Sequence, residues 1–269
     1  MVSFTQVDAF TDTALRGNPA AVVIVDLGAA TDDDWMQLVA REMNLSETAF
    51  CFAGGGSEQT VFGLRWFTPT QEVDLCGHAT LATAHTLWES GIVDRGLSID
   101  FDTLSGHLPC RRDGDWIDMD FPARPPVEMP APDGLAAALG SVPAWTGRNE
   151  RDLFAVLDRE AAVRDLTPDL AALAGFGALG VSVTARSKTT GIDFVSRFFA
   201  PAAGVDEDPV TGSAHTGLGP LWSERLGRSE LTGFQASARG GTVRMQLREA
   251  GRIGIAGQAV TTVRGELLC

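Results

Sequence analysis

One stretch of this sequence occurs twice, and any fold must accommodate both copies. Arg65 to Gly91 reads RWFTPTQEVDLCGHATLATAHTLWESG, and Arg197 to Gly227 reads RFFAPAAGVDEDPVTGSAHTGLGPLWSERLG. Trp66-Phe67-Thr68-Pro69 aligns with Phe198-Phe199-Ala200-Pro201. Gly77-His78-Ala79-Thr80 aligns with Gly212-Ser213-Ala214-His215, Trp88 with Trp222, and Gly91 with Gly227. Each copy reads as an aromatic strand ended by Pro, an acidic loop, a Gly, and a helix of about fourteen residues. A Gly with small polar residues at a helix start leaves backbone N–H groups open to an anion. Two such starts facing each other would line a cleft with partial positive charge.

A duplication in 269 residues favours two domains. The expected arrangement is α+β. Two pseudo-symmetric domains each carry a mixed, mostly antiparallel, barrel-like sheet around a central Ala-rich helix, with the active site in the cleft between them. The segment 122–133, PARPPVEMPAPD, holds five prolines and suits an extended linker. The domains are therefore expected at 1–122 and 123–258. The last strand, about 259–269, has no partner position in the first half and is expected to return to the N-terminal domain.

Charge narrows the partners. Twenty-one basic against 35 acidic residues give −14, which argues against nucleic acid and anionic membrane surfaces. Lys188 is the sole lysine and lies in a polar loop, so Schiff-base chemistry is discounted. The opening MVSFTQVDAF lacks the basic start and apolar run of a secretory signal, and no apolar run approaches membrane-spanning length. Cys51, Cys76, Cys110 and Cys269 have no paired spacing for zinc and read as reduced thiols of a cytoplasmic protein.

Along the chain, strands are expected at Ser3–Asp8 and Ala20–Val25. A helix follows, started by Thr31 and three aspartates, with Trp35, Leu38, Val39 and Met43 inward. It ends near Asn44. Gly54–Ser57 reads as a turn, and Phe62, Leu64 and Trp66 face inward from the next strand. Strands are expected at 97–101, 106–111 and 116–121, and the last two find echoes at 242–247 and 252–256. Further strands fall at 153–157, 181–185 and 194–199, with a helix begun at Thr167-Pro168-Asp169.

Several residues could carry chemistry. Glu47 sits where a helix exit meets a strand, and reads either as a solvated loop end or as a functional carboxylate. His78 and Ser213 stand at the two repeat helix starts beside Gly77 and Gly212, as possible caps or site groups. Asp206, Glu207 and Asp208 precede the second. His78 and His85 are seven apart with no third ligand following, so no metal site is expected.

Together these motifs resemble the PhzF-like phenazine-biosynthesis isomerase family. They are Gly17-Asn18-Pro19 before an apolar strand, Ala40 through Ser46-Glu47-Thr48, Phe67-Thr68-Pro69, Cys76-Gly77-His78-Ala79-Thr80, and Glu207-Asp208-Pro209-Val210-Thr211-Gly212-Ser213-Ala214. They keep the family's order over nearly the whole chain. The resemblance implies the diaminopimelate-epimerase fold, a homodimer, no cofactor, and a proton shift on a small dihydro-hydroxyanthranilate-like carboxylate. It puts the acid/base glutamate on Glu47, with the other catalytic positions on His78, Asp208 and Ser213. Ser46, Gly77, Thr211 and Gly212 are the expected substrate contacts.

Epimerases of this fold use two facing cysteines. Here Cys76 holds the first position and Thr211 the second. A racemase or epimerase using Cys76, and a non-catalytic small-molecule binding protein on the same scaffold, are the alternatives.

Overall fold

The computed structural model describes residues 2–26, 32–53 and 60–268. Thr31, the turn expected at Gly54–Ser57, and Cys269 lie outside the described residues. The chain divides into two compact units, Met1–Asp120 with Ala256–Cys269, and Phe121–Ile255.

The first unit contains β1 (Val2–Ala9), β2 (Asn18–Asp26), α1 (Asp33–Met43), β3 (Glu47–Ala53), β4 (Val61–Phe67), β5 (Glu72–Val73), α2 (Gly77–Glu89), β6 (Ile99–Thr103), β7 (Gly106–Asp113) and β8 (Trp116–Pro122). The second contains β9 (Val127–Glu128), α3 (Leu135–Leu139), β10 (Trp145–Arg148), β11 (Asp152–Val156), α4 (Glu160–Arg164), α5 (Leu170–Leu173), β12 (Gly180–Arg186), β13 (Phe194–Ala200), β14 (Val205–Asp208), α6 (Gly212–Leu226), β15 (Glu230–Gln235), β16 (Gly241–Arg248) and β17 (Arg252–Gly257). β18 (Ala259–Leu267) runs antiparallel to β1, pairing Val2 with Leu267.

Both units repeat one pairing circuit. β1–β2 is antiparallel, β2–β3 parallel, β3–β4 antiparallel, β4–β6 parallel and β6–β7 antiparallel. The second unit gives the same sequence of senses through β10, β11, β12, β13, β15 and β16. The short β5 and β14 each pair antiparallel with the strand before them. Residues 122–133 do not hang as a free linker. β9 pairs with β10, and the Arg124 N–H donates to the Thr216 carbonyl at 2.9 Å.

Local chemistry explains the elements. Asp32 caps α1 by accepting from the Trp35 N–H at 2.8 Å, and Asn44 closes it in the left-handed region at φ 49°. Met36, Val39 and Ala40 form its buried face, at helical spacing, over Val23, Val25 and Phe50 of the sheet. Trp35, Val39 and Met43 pack on that core as expected, whereas Leu38 is 59% exposed and Met36 takes the inward place instead. Among α2 residues, those from Gly77 to Trp88 are buried except His85. Its threonines tolerate this because Thr80, Thr83 and Thr86 donate to the carbonyls of Cys76, Ala79 and Ala82 at 2.6, 2.7 and 2.9 Å. Leu81 and Leu87 are fully buried there, each contributing about 2 kcal/mol of apolar transfer.

α6 departs from α2 at Pro220, inside the helix. Proline has no N–H to offer the Thr216 carbonyl one turn back, and that carbonyl takes the Arg124 N–H instead. Equivalence of the two tryptophans also ends here. Trp222 lies eleven residues beyond Thr211, Trp88 twelve beyond Cys76. The Trp88 indole donates to the Leu97 carbonyl and the Trp222 indole to Thr184 Oγ1. In each unit, however, an arginine clamps the short strand. Arg65 grips Glu72 at 2.7 and 2.8 Å over Phe67, and Arg197 grips Glu207 at the same distances over Phe199. No helix among the described residues is long and apolar enough to cross a membrane.

Candidate active site

In the first unit the chain brings three expected residues to one point. Glu47 is the first residue of β3, and Cys76 is the N-cap of α2. His78 lies in that helix's first turn and is buried, its side chain 6% exposed against 20% for Glu47. His78 Nε2 approaches Glu47 Oε2 at 3.3 Å, an ion-pair distance that lacks the alignment of a hydrogen bond. His78 Nδ1 lies 3.5 Å from Cys76 Sγ. Burial drives the His78 pKa down to about 3, so its imidazole is neutral at physiological pH. The Cys76 side chain makes no capping bond to the helix start. One ligand atom from each of Glu47, Cys76 and His78 lies within 4.8 Å of the others.

The second unit builds a different cluster at the corresponding positions. Thr211 is the N-cap of α6, matching Cys76, and its hydroxyl donates to Asp208 Oδ2. Asp208 ends β14 and pairs with Phe198, the place that Val73 holds opposite Trp66. Gln235 fastens the turn. Its Oε1 accepts the Thr211 N–H at 2.9 Å, and its Nε2 donates to the Asp208 carbonyl at 2.7 Å and to Thr211 Oγ1 at 3.2 Å. His215 Nδ1 meets the Thr211 carbonyl at 2.8 Å, the role of Thr80 in α2. Burial lowers the His215 pKa to about 4 despite that bond. Ser213 is half-buried at the helix start, with its carbonyl accepting from Thr216. Glu207 is occupied by Arg197, and Asp206 is exposed.

The family model described as phenazine biosynthesis-like protein matches residues 7–265. The chain belongs to this family. As a phenazine biosynthesis-like protein it is 48% identical to an uncharacterized isomerase of Halalkalibacterium halodurans, over 97% of each chain. It is equally 48% identical to an uncharacterized isomerase of Pseudomonas aeruginosa, again over 97% of each. Among solved structures, a phenazine biosynthesis protein of the PhzF family from Enterococcus faecalis superposes with a TM-score of 0.93 at 39% identity. That match covers 100% of this chain and 99% of the other.

For this phenazine biosynthesis-like protein, sequence reasoning missed Gln235 and the joining of Cys76 to Glu47 and His78. Gln235 lies on β15, whose ELTGFQ has a central Gly and no clean alternation. The Cys76–Glu47–His78 cluster joins α2 to β3, and Glu47 lies thirty-one residues before His78, a separation that no local spacing reveals.

Proposed function

We propose that this chain is an isomerase that moves a proton within a small carboxylate-bearing ring of the dihydro-hydroxyanthranilate type, with Glu47 as general acid and base. The observation that carries the reading is the Glu47–His78 pair at 3.3 Å. A neutral imidazole leaves the neighbouring carboxylate its negative charge and its capacity to accept a proton. Glu47 takes the proton from an allylic carbon, the electron pair shifts through the adjacent double bond, and the carboxylic acid returns the proton to the far carbon. Composition is unchanged, and no redox step occurs.

The N–H groups at Gly77 and Gly212, on helix starts without side-chain caps, are assigned to the substrate carboxylate. Ser46, Thr211 and Ser213 are assigned to its other polar groups, and Asp208, held by Thr211 and Gln235, is the second acid. A homodimer belongs to the same reading. Light scattering should return twice the 28.5 kDa chain mass, and a monomer at working concentration would remove that part.

A racemase using Cys76 is the second reading, favoured by the thiol's place beside His78 Nδ1 at a helix N-terminus. Its would-be partner Thr211 is a hydroxyl, far too weak an acid to replace a thiol.

The test is a screen of cyclic amino-hydroxy carboxylates in D₂O by NMR and mass spectrometry. The proposal expects a product of the same composition, its double bond moved, with deuterium at the newly formed C–H. Stereochemical inversion without bond migration would instead support the racemase, and a product of altered composition would contradict both.

A further inference from the structure

We infer that Glu47, Cys76 and His78 form a binding site for one divalent cation of zinc-like chemistry, and that the ion, once bound, withdraws Glu47 from proton transfer. The site itself follows from geometry and donor type. Only its effect on turnover rests on the isomerase reading.

The donors are a thiol, an imidazole and a carboxylate, the N/S/O set that Zn²⁺ takes in sites with an open fourth position. Their ligand atoms already lie within 4.8 Å of one another. Tetrahedral zinc would need roughly 3.3–3.6 Å between donors, from its usual bond lengths. His78 Nε2–Glu47 Oε2 at 3.3 Å and His78 Nδ1–Cys76 Sγ at 3.5 Å already match that spacing. They use opposite ring nitrogens, so one donor must swing in by about 1 Å for a single ion.

A second observation points to a ligand. His78 Nε2 is buried without a hydrogen bond, and it is aimed at Glu47. Binding releases one proton, from the Cys76 thiol to solvent, and the α2 N-terminus favours the thiolate formed. Carboxylate, thiolate and dication then sum to zero charge, which suits a buried place.

The other described thiols do not compete. Cys51 and Cys110 are fully buried, and burial pushes both well above the ordinary thiol range. The corresponding positions in the second unit are Gly180, Thr211 and Ser213, which supply neither imidazole nor thiol. One ion per chain is therefore expected.

The test titrates Co²⁺ anaerobically into the full-length, metal-stripped protein and reads the thiolate-to-cobalt charge-transfer absorption. One equivalent should produce the band, and one equivalent of Zn²⁺ should abolish it. Cys76→Ser should lose the band, and His78→Gln and Glu47→Gln should bind Co²⁺ on the order of 100-fold more weakly. Cys269→Ser should retain it, and circular dichroism checks that each variant is folded. No band, or a band that survives in Cys76→Ser, overturns the site. If a substrate responds in the D₂O screen, stoichiometric Zn²⁺ should suppress exchange and a chelator restore it. Full exchange with Zn²⁺ bound overturns the inhibition. The expected band in a protein that isomerises nothing upholds the metal site and counts against the isomerase reading instead.

Discussion

Glu47 and Gly180 hold the same place in two copies of one strand circuit. Glu47 pairs with Ala20 across β2–β3, and Gly180 pairs with Asp152 across β11–β12. In the first unit a half-buried carboxylate occupies the position and finds His78. In the second there is no room for one, because a Cβ on Gly180 would lie 2.0 Å from the Phe198 ring. The second unit carries its acid elsewhere, on Asp208 where the first has Val73. Duplication thus preserved backbone pairing and the arginine clamps while reassigning the side chains at the helix starts. A repeat conserves what the fold needs, and the departures from it mark the positions where chemistry is differentiated.

Breaking the comparison at Gly180 should have the largest effect on stability. Gly180→Ala drives a methyl into the Phe198 ring and should cost about 3 kcal/mol or more in urea unfolding. Adding Phe198→Ala should recover part of that loss, and strict additivity would show that the two residues do not share the space.

Asp152 sharpens the contrast by pH. It neighbours Gly180 and is buried with Oδ1 unpartnered. Burial raises its pKa to about 6, opposed by the Arg151 charge and the Gly180 N–H. The folded state therefore holds its proton more tightly than the unfolded state. Its contribution to stability is present below about pH 4 and is lost as pH rises through about 6. Asp152→Asn removes this dependence. It should stabilise the protein at pH 8 by up to about 3 kcal/mol, with the gain vanishing near pH 4. Equal effects at both pH values would contradict a proton held by the fold.

Gln235 should matter less, at about 2 kcal/mol. Gln235→Leu strands the buried Thr211 N–H and loosens Asp208. Unchanged unfolding midpoints would show that water replaces the amide at little cost. Cys76→Ala is the mildest change, removing one buried sulfur, and should lower stability by about 1 kcal/mol or less.

Sequence and structure agree where local rules act alone. The β4 alternation of Phe62, Leu64 and Trp66 turns inward as read, because one face of that strand meets the core. β15 was illegible because Gly233, which looks like a breaker, lies beneath the Phe194 ring, where a Cβ would come to 2.6 Å. Only the fold reveals that contact, and with β15 unseen Gln235 could not be placed. The two repeat tryptophans stand one residue out of register from their helix starts and donate to different partners, which alignment by residue type alone does not show. Within the site, Glu47 and Asp208 were reachable through motif resemblance, while the Cys76–His78–Glu47 contact depends on β3 reaching the start of α2.

The most direct test of the central claim compares Glu47→Gln with Cys76→Ala on the same substrate, following solvent deuterium uptake. Glu47→Gln keeps the shape and removes the base. It should slow exchange by a factor on the order of 10²–10⁴ while substrate binding is largely kept. Cys76→Ala should lower the rate only modestly, through the packing around His78. Near-normal exchange in the Gln variant, with exchange abolished in the Ala variant, would contradict the account and move the chemistry to the thiol.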